Sequence, residues 1–234
     1  EFDSTHDDLV NISVKNHFHG IENHFAHIRK DVSFDKAKNG FMVADPLTLY
    51  DCCPTSDGAS CVILAADHVV KQFTDDPIWI NSSTAASDYL ALHDRPSITQ
   101  LLATQMAAKR AYSMAGIKPN DIDLAEVHDC FTIAELLATE DLGFADRGEG
   151  GLFAREGRGR RNEGNTCINP SGGLKSKGHP LGATGTGQTV EIFKQLRSEV
   201  ESIRQVRDAE TALSHNVGGS GATCAVHVYG RDRT

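Results

Sequence analysis

Residues 169–185 read Asn169-Pro170-Ser171-Gly172-Gly173-Leu174-Lys175-Ser176-Lys177-Gly178-His179-Pro180-Leu181-Gly182-Ala183-Thr184-Gly185, and this stretch decides how the chain is read. Glycine at such density marks backbone that turns tightly or comes close to a ligand. His179 stands between glycine and proline, just ahead of a segment with helical spacing. A histidine that merely fills a core has no reason to sit there. A neutral imidazole in such a turn can donate to a thioester oxygen or take a proton from a thiol. A phosphate-cradling loop is the competing explanation, and it is weaker because no Walker spacing appears.

Two further turns share this character. His128-Asp129-Cys130-Phe131 lies between a strand predicted over 123–128 and a helix predicted over 132–142 from the spacing of Ile133, Leu136 and Leu137. Layered α/β folds place ligands at such strand C-termini, where the next helix offers its positive end. A thiol there is expected to have a lowered pKa and to act as acid or base near neutral pH. Taken alone, a packed cysteine beside a capping Asp129 explains the motif equally well. His215-Asn216-Val217-Gly218-Gly219-Ser220-Gly221 joins two predicted strands, 211–217 and 222–229. Its glycines aim backbone N–H groups at one place, as an oxyanion hole requires, although an ordinary hairpin has the same composition. The three turns together point to catalysis.

Outward from these turns, strands alternate with helices. The apolar run 59–66, with Val62, Ile63 and Leu64, predicts a buried strand, and Ile78-Trp79-Ile80 a second. Residues 99–115 predict a helix whose inner stripe is Ala103, Ala107, Ala111 and Met114, beside Leu102 and Met106 and stopped by Gly116. Residues 146–165 predict a charged, glycine-rich loop. Residues 182–200 predict a helix with Thr189, Phe193, Leu196 and Val200 on one side. This alternation implies a layered α/β domain ending in a strand pair.

Composition narrows the function. A formal net charge of −9 over 234 residues argues against a general nucleic-acid binder. No run approaches the ~18 apolar residues of a membrane span. The start, Glu1-Phe2-Asp3, carries no secretory leader, and its abruptness is expected of a fragment. Arg155, Arg158, Arg160 and Arg161 read as a solvated loop rather than a phosphate site. The six cysteines, 52, 53, 61, 130, 167 and 224, lack paired C-x-x-C spacing, which predicts reduced thiols in a cytoplasmic protein. Cys167 and Cys224 read as small buried hydrophobes. His6, His17, His19, His24 and His27 crowd the first 45 residues, but their spacing fits no zinc pattern and predicts surface or loop histidines.

In this order the three turns resemble the C-terminal half of thiolases, in particular the sterol-carrier-protein-type and archaeal-type branch. That branch has His-Asp-Cys-Phe where common thiolases have Asn-Glu-Ala-Phe. Here His128 to Phe131 match it, followed by Thr132-Ile133-Ala134-Glu135. Gly172-Gly173-Leu174 through Gly178-His179-Pro180 resemble the family's Gly-His-Pro loop, and Gly219-Ser220-Gly221 its last catalytic loop. Asp51-Cys52-Cys53-Pro54 and Ser56-Asp57-Gly58-Ala59 look like the close of the family's N-terminal half. The likeness runs from about Lys15 to the end.

The resemblance implies a thiolase fold, a layered α/β architecture with a mixed five-stranded sheet in a C-terminal domain over residues 76–234. Residues 1–75 are then a remnant of the loop region and the end of an incomplete N-terminal domain. It implies catalytic roles for His128, Cys130, His179 and Gly218, with Gly172, Gly173, Phe131 and Ser220 against the CoA substrate. The implied enzyme resembles acetyl-CoA acetyltransferases and cleaves 3-ketoacyl-CoA by thiolysis or condenses acetyl-CoA, within lipid metabolism. It works as a homodimer or tetramer, with a CoA thioester as substrate and neither cofactor nor metal.

Two departures qualify this. Common thiolases carry an acid/base Cys-x-Gly in the last loop; His215-Asn216-Val217-Gly218 has no thiol, so that role passes to Cys130. The family's nucleophilic Cys-x-Ser has no match among the six cysteines. A missing N-terminal half or a second chain would supply it, leaving this chain inactive alone. The rival readings are a thiolase-like aldolase, or a non-catalytic subunit paired with a small zinc-ribbon/OB-fold partner, or a scaffold without chemistry. Aldolase relatives are expected to replace the His128 or His179 equivalents, and here both are kept.

Overall fold

The computed structural model describes residues 1–234. From the N-terminus run α1 (His6–Gly20), α2 (Phe34–Lys38), a small hairpin of β1 (Met42–Ala44) and β2 (Leu47–Thr48), and the single turn α3 (Asp67–Val70). There follow β3 (Trp79–Ser87), α4 (Leu102–Ala115), β4 (Leu124–Glu126), α5 (Thr132–Asp141) and α6 (Gly150–Arg155). The chain closes with β5 (Cys167–Ile168), α7 (Gly173–Ser176), α8 (Thr184–Leu196), β6 (Thr211–Gly218) and β7 (Thr223–Gly230).

Strands β3, β7, β6, β4 and β5 lie side by side in that order. The β3–β7 and β7–β6 pairs are antiparallel, and β6–β4 and β4–β5 are parallel. The mixed five-stranded sheet implied by the resemblance is therefore present. Both faces are covered, and the two-residue alternation of a strand sorts the side chains. Ala125, Leu213, Val226 and Val228 meet the alanine row of α4, Ala103, Ala107 and Ala111. Their neighbours Leu124, Ala212 and Tyr229 meet Ile192 and Leu196 of α8. Small side chains let α4 lie close on the sheet. Truncating a fully buried Leu213 or Ile192 to alanine would cost ~2–5 kcal/mol. No helix is long and apolar enough to cross a membrane.

Several expectations fail for physical reasons. Residues 59–66 form no strand, and Val62, Ile63 and Leu64 are exposed, Ile63 at 90%. An apolar run predicts burial only where another element stands over it, and none does here. The 146–165 stretch is not all loop, because α6 packs on α1. Arg155 of α6 donates at 2.9 and 3.1 Å to the fully buried Asp8 carboxylate, so it stays solvent-exposed as expected but is an ion-paired helix residue and not part of a loop. On α4 the inner stripe continues to Ala115, while Met114 is 62% exposed and Met106 also faces out. Helix α8 ends at Leu196, short of Val200, and its Phe193 is exposed. The largest correction concerns the N-terminus: His17 and His19 are buried on α1, whose inner face mixes Leu9, Val10 and Ile12 with Asp8, Lys15 and Asn16.

Candidate active site

Parallel β4 and β6 end on the same edge of the sheet, and Glu126 stands opposite Ser214. Two residues further on, His128 leaves β4. Its backbone N–H donates to Nδ1 of His215 at 3.4 Å, and Nε2 of His215 meets Thr104 Oγ1 at 3.0 Å. Since Nδ1 accepts, the His215 proton sits on Nε2 and is donated to Thr104. Burial, reinforced by His128, pushes His215 down to about 3. Burial and then the neighbouring His179 push His128 down to about 4. Both rings are neutral at pH 7. The rings of His128 and His179 meet edge to face, with centroids 4.9 Å apart and an interplanar angle of 86°.

His179 arrives on the glycine-rich loop. Its backbone N–H donates to Ser56 Oγ at 3.3 Å, and its Nδ1 lies 2.7 Å from Thr184 Oγ1. The Thr184 hydroxyl donates its own proton to the Pro180 carbonyl at 3.0 Å. Thr184 must therefore accept from Nδ1–H, which leaves Nε2 of His179 as the free acceptor. Burial holds this ring below the usual histidine pKa as well. A cleft of about 690 Å³ opens beside the loop, lined by Ser56, Ser60, Lys177, Gly178, Thr184 and Lys194 among others.

Cys130 immediately precedes Phe131, the N-cap of α5. The expected lowering of its pKa is overturned: burial, then Asp129 and Cys53, push the thiol up to about 11. The positive end of a ten-residue helix does not offset a half-buried site beside a carboxylate. Opposite it runs the segment 52–53, where Cys52 pairs antiparallel with Phe131 and the Cys53 N–H donates to the Cys130 carbonyl at 3.0 Å.

Beneath the three rings lies a buried polar hub. The fully buried Asp129 carboxylate accepts from the Leu174 N–H at 2.6 Å and from Asn16 Nδ2 at 2.8 Å. Asn16 also donates to Glu135 at 2.7 Å, Lys15 pairs with Glu135 at 2.8 Å, and Asn169 donates to Glu135 at 2.8 Å. Burial and Glu135 raise the Asp129 pKa, while burial lowers that of Lys175, whose ammonium has no hydrogen-bond partner. Glu126 takes the Ser171 N–H at 2.9 Å and its hydroxyl at 2.7 Å. Gly172 and Gly173 make this closeness possible, with φ of +99° and +59°. A Cβ on Gly173 would stand 2.4 Å from Asp129 Oδ2, and one on Gly172 2.7 Å from the Cα of Gly20 in α1.

The structure thus gathers His128, Cys130 and His179 with Gly172 and Gly173 behind them. Gly218 ends β6 on the same edge; Phe131 is 41% exposed at the mouth of α5. Ser220 is exposed, and its hydroxyl donates to the Leu90 carbonyl at 3.2 Å. Sequence reasoning missed Thr104, Thr184 and Cys53, and with them Lys15 and Asn16. The polar face of α1 gave no apolar period that would have announced it. His19 uses both ring nitrogens on protein, Nδ1 to the Asn169 carbonyl at 3.0 Å and Nε2 from the Arg161 N–H at 3.1 Å.

Residues 84–231, more than half of the chain, match the family described as thiolase C-terminal domain-like. The acetyl-CoA acetyltransferase of Methanothermobacter thermautotrophicus is 48% identical over 231 residues, covering 99% of this chain and 60% of that protein. Sterol carrier protein 2 of Oryctolagus cuniculus is 41% identical over 219 residues, covering 92% of this chain and 40% of that protein. Among solved structures, the Ltp2-ChsH2(DUF35) aldolase shares the fold, with a TM-score of 0.86 at 23% identity over all of this chain and 60% of that one. The chain thus spans at most about 60% of the length of these relatives. On the matched domain, the mixed sheet and these relatives together, the chain belongs to the thiolase superfamily.

Proposed function

We propose that the chain supplies the proton-handling and oxyanion-binding side of a thiolase-type acyltransferase, one that thiolyses 3-ketoacyl-CoA or condenses acetyl-CoA. The observation that carries this reading is the meeting of two neutral imidazoles, His128 and His179, 4.9 Å apart at a strand edge beside the Cys130 loop. The nucleophilic cysteine comes from a part of the protein outside these residues or from a second chain. The cleft along Ser56 and Lys177 is lined by Gly178 and Pro180 on either side of His179, and in this reading the CoA portion of the thioester lies along it.

In the thiolysis direction, His179 Nε2 takes the proton of the attacking thiol, whose sulfur adds to the keto carbon. The carbon–carbon bond breaks, and its electron pair forms the enolate of acetyl-CoA. Cys130 delivers the Sγ proton to that carbon, and His128 donates to the enolate oxygen, directly or through water. Backbone N–H groups at Gly218 and its neighbours hold the tetrahedral oxyanion. A Cys130 pKa of about 11 keeps the thiol in the acid form this direction needs. Condensation must first remove that proton. The test is Cys130→Ala in the full-length protein: a kcat loss of about 10²–10⁴-fold is expected, and unchanged thiolysis and condensation would remove Cys130 from the chemistry.

A thiolase-like aldolase acting with a small zinc-ribbon/OB-fold partner is the second reading, favoured by the shared fold with the Ltp2-ChsH2(DUF35) aldolase. Retention of both His128 and His179 speaks for the acyltransferase. Carbon–carbon cleavage of a 3-hydroxyacyl thioester with no free CoA present would favour the aldolase.

A further inference from the structure

Between β3 and α4 the chain detours through residues 88–101 and comes back across the Gly218–Gly221 turn. Arg95 joins the two segments, its side chain only 2% exposed. Its Nε donates to the Tyr89 carbonyl at 2.9 Å, Nη1 to the Ser220 carbonyl at 2.8 Å and Nη2 to Ser220 Oγ at 3.2 Å. The Asp88 carboxylate, equally buried, stands 3.9 Å from Nε. The grip is returned from the other side. The Ser220 hydroxyl donates to the Leu90 carbonyl at 3.2 Å, and the Asp88 N–H donates to the Ala222 carbonyl at 2.7 Å. A Cβ on Gly221 would lie 3.7 Å from Arg95 Nη1, so the guanidinium passes against the turn itself.

The turn needs such a grip. Gly219 and Gly221 have φ of +60° and +89°, and Gly219 and Ser220 are exposed. Glycine-rich backbone of this kind has many alternatives open to it. An oxyanion hole works only if its N–H groups are already aimed when charge develops. A guanidinium is a rigid planar fork, so it fixes the direction of its acceptors as well as their distance. No other charged side chain is hydrogen-bonded to residues 218–222.

We propose that Arg95 is a positioning residue: acting through Ser220 and the Tyr89 carbonyl, it sets the aim of the Gly218, Gly219 and Ser220 amides, the Gly221 N–H being already turned inward to the Gly218 carbonyl at 3.2 Å. This rests on the reading of that turn as the oxyanion loop of a thiolase-type site. Arg95 touches no substrate. It also makes the Tyr89–Leu92 segment and the turn one rigid rim at the end of β6.

Two measurements test the assignment. In the 234-residue chain, amide hydrogen exchange is compared between wild type and Arg95→Met. Exchange at residues 218–222 is expected to quicken by about tenfold or more while the middle of β6 stays protected. In the full-length protein, Arg95→Met is expected to lower kcat for thiolysis by about tenfold or more with KM within about twofold. Arg95→Lys, or guanidinium ion added below denaturing levels, should restore part of the loss. Unchanged exchange at the turn, a wild-type kcat, or a loss that follows only the fraction unfolded and that neither Lys nor guanidinium recovers would each overturn the proposal. If Arg95→Met fails to fold, Arg95→Lys, which keeps the charge and loses the fork, is put through the same exchange experiment. If the wild-type protein turns over no 3-ketoacyl-CoA, the functional reading fails, and the exchange result still decides whether Arg95 holds the turn.

Discussion

The Asp129 carboxylate accepts the Leu174 amide proton across 2.6 Å, and through that bond the turn bearing Cys130 and the loop bearing His179 become one object. The Lys175 N–H and Asn16 Nδ2 converge on the other oxygen of the same carboxylate, at 3.3 and 2.8 Å. Asp129→Ala would strand three buried donors and should cost about 3 kcal/mol or more, read from urea unfolding. Asp129→Asn keeps one acceptor oxygen and should cost less. Equal losses would mean that the carboxylate does not cap this loop.

Gly173→Ala tests the same closeness from the opposite side. The added methyl meets Asp129 Oδ2 at 2.4 Å on a backbone with φ of +59°, so clash and strain combine. A loss of about 2 kcal/mol or more is expected, whereas alanine at Gly182, where nothing lies within 4 Å, should be nearly neutral.

Thr184 fixes which nitrogen of His179 carries the proton. Thr184→Val keeps the shape and removes the acceptor 2.7 Å from Nδ1. In the full-length protein kcat is expected to fall about tenfold to a hundredfold while KM stays close to wild type, since such orienting partners act on the ring and not on the substrate. A KM effect without a kcat effect would assign Thr184 to binding instead.

Stability should fall steeply as pH drops from 6.5 to 4. His17, His128 and His215 are buried, with burial the leading cause of values near 4, 4 and 3 in the fold. As pH falls through 6.5 the unfolded chain takes up protons that the folded chain refuses, at about 1.4 kcal/mol per pH unit for each such histidine. Asp129 opposes this in part. Its raised pKa lets the folded state hold a proton that the unfolded state has released. Urea midpoints at pH 7.5 and pH 5 decide the matter; equal midpoints would mean these histidines are not buried neutral.

Thiol accessibility separates the cysteines. Cys61 is exposed and should be alkylated first, while Cys167 and Cys224, buried and pushed up by desolvation to about 12 and 11, should react only on unfolding. Cys130 should be slow for a half-exposed thiol. Rapid labelling of Cys130 at neutral pH, followed by mass spectrometry, would contradict its raised pKa.

Strands β6 and β7 were readable because each carries apolar residues into a closing glycine, and Gly116 at φ +67° closes α4 as the sequence promised; of β3 only the start at Trp79 and Ile80 was legible, because Asn81 to Ser87 are small or polar and carry no apolar period. His128, Cys130 and His179 stood out because polar side chains among turn residues lack a packing excuse. Helix α1 was hidden for the opposite reason. Its buried apolar residues, Leu9, Val10 and Ile12, share the inner face with Asp8, Lys15, Asn16 and His19, and the burial of these polar groups shows only through partners far along the chain, such as Arg155 and Glu135. The Cys130 pKa misled because position at a helix start is visible in sequence, while desolvation and the Asp129 charge depend on the fold.

The run Val62-Ile63-Leu64 lies on the surface with no strand beside it, Ile63 being 90% exposed. Such a tract has sticky side chains and backbone groups free to zip to a neighbour, which makes it a seed for self-association as protein concentration rises. Turbidity and light scattering of concentrated solutions should be governed by these three positions more than by the net charge of −9. A single gatekeeper, Ile63→Lys, is expected to clear the solution while leaving the histidine pair and its hub untouched.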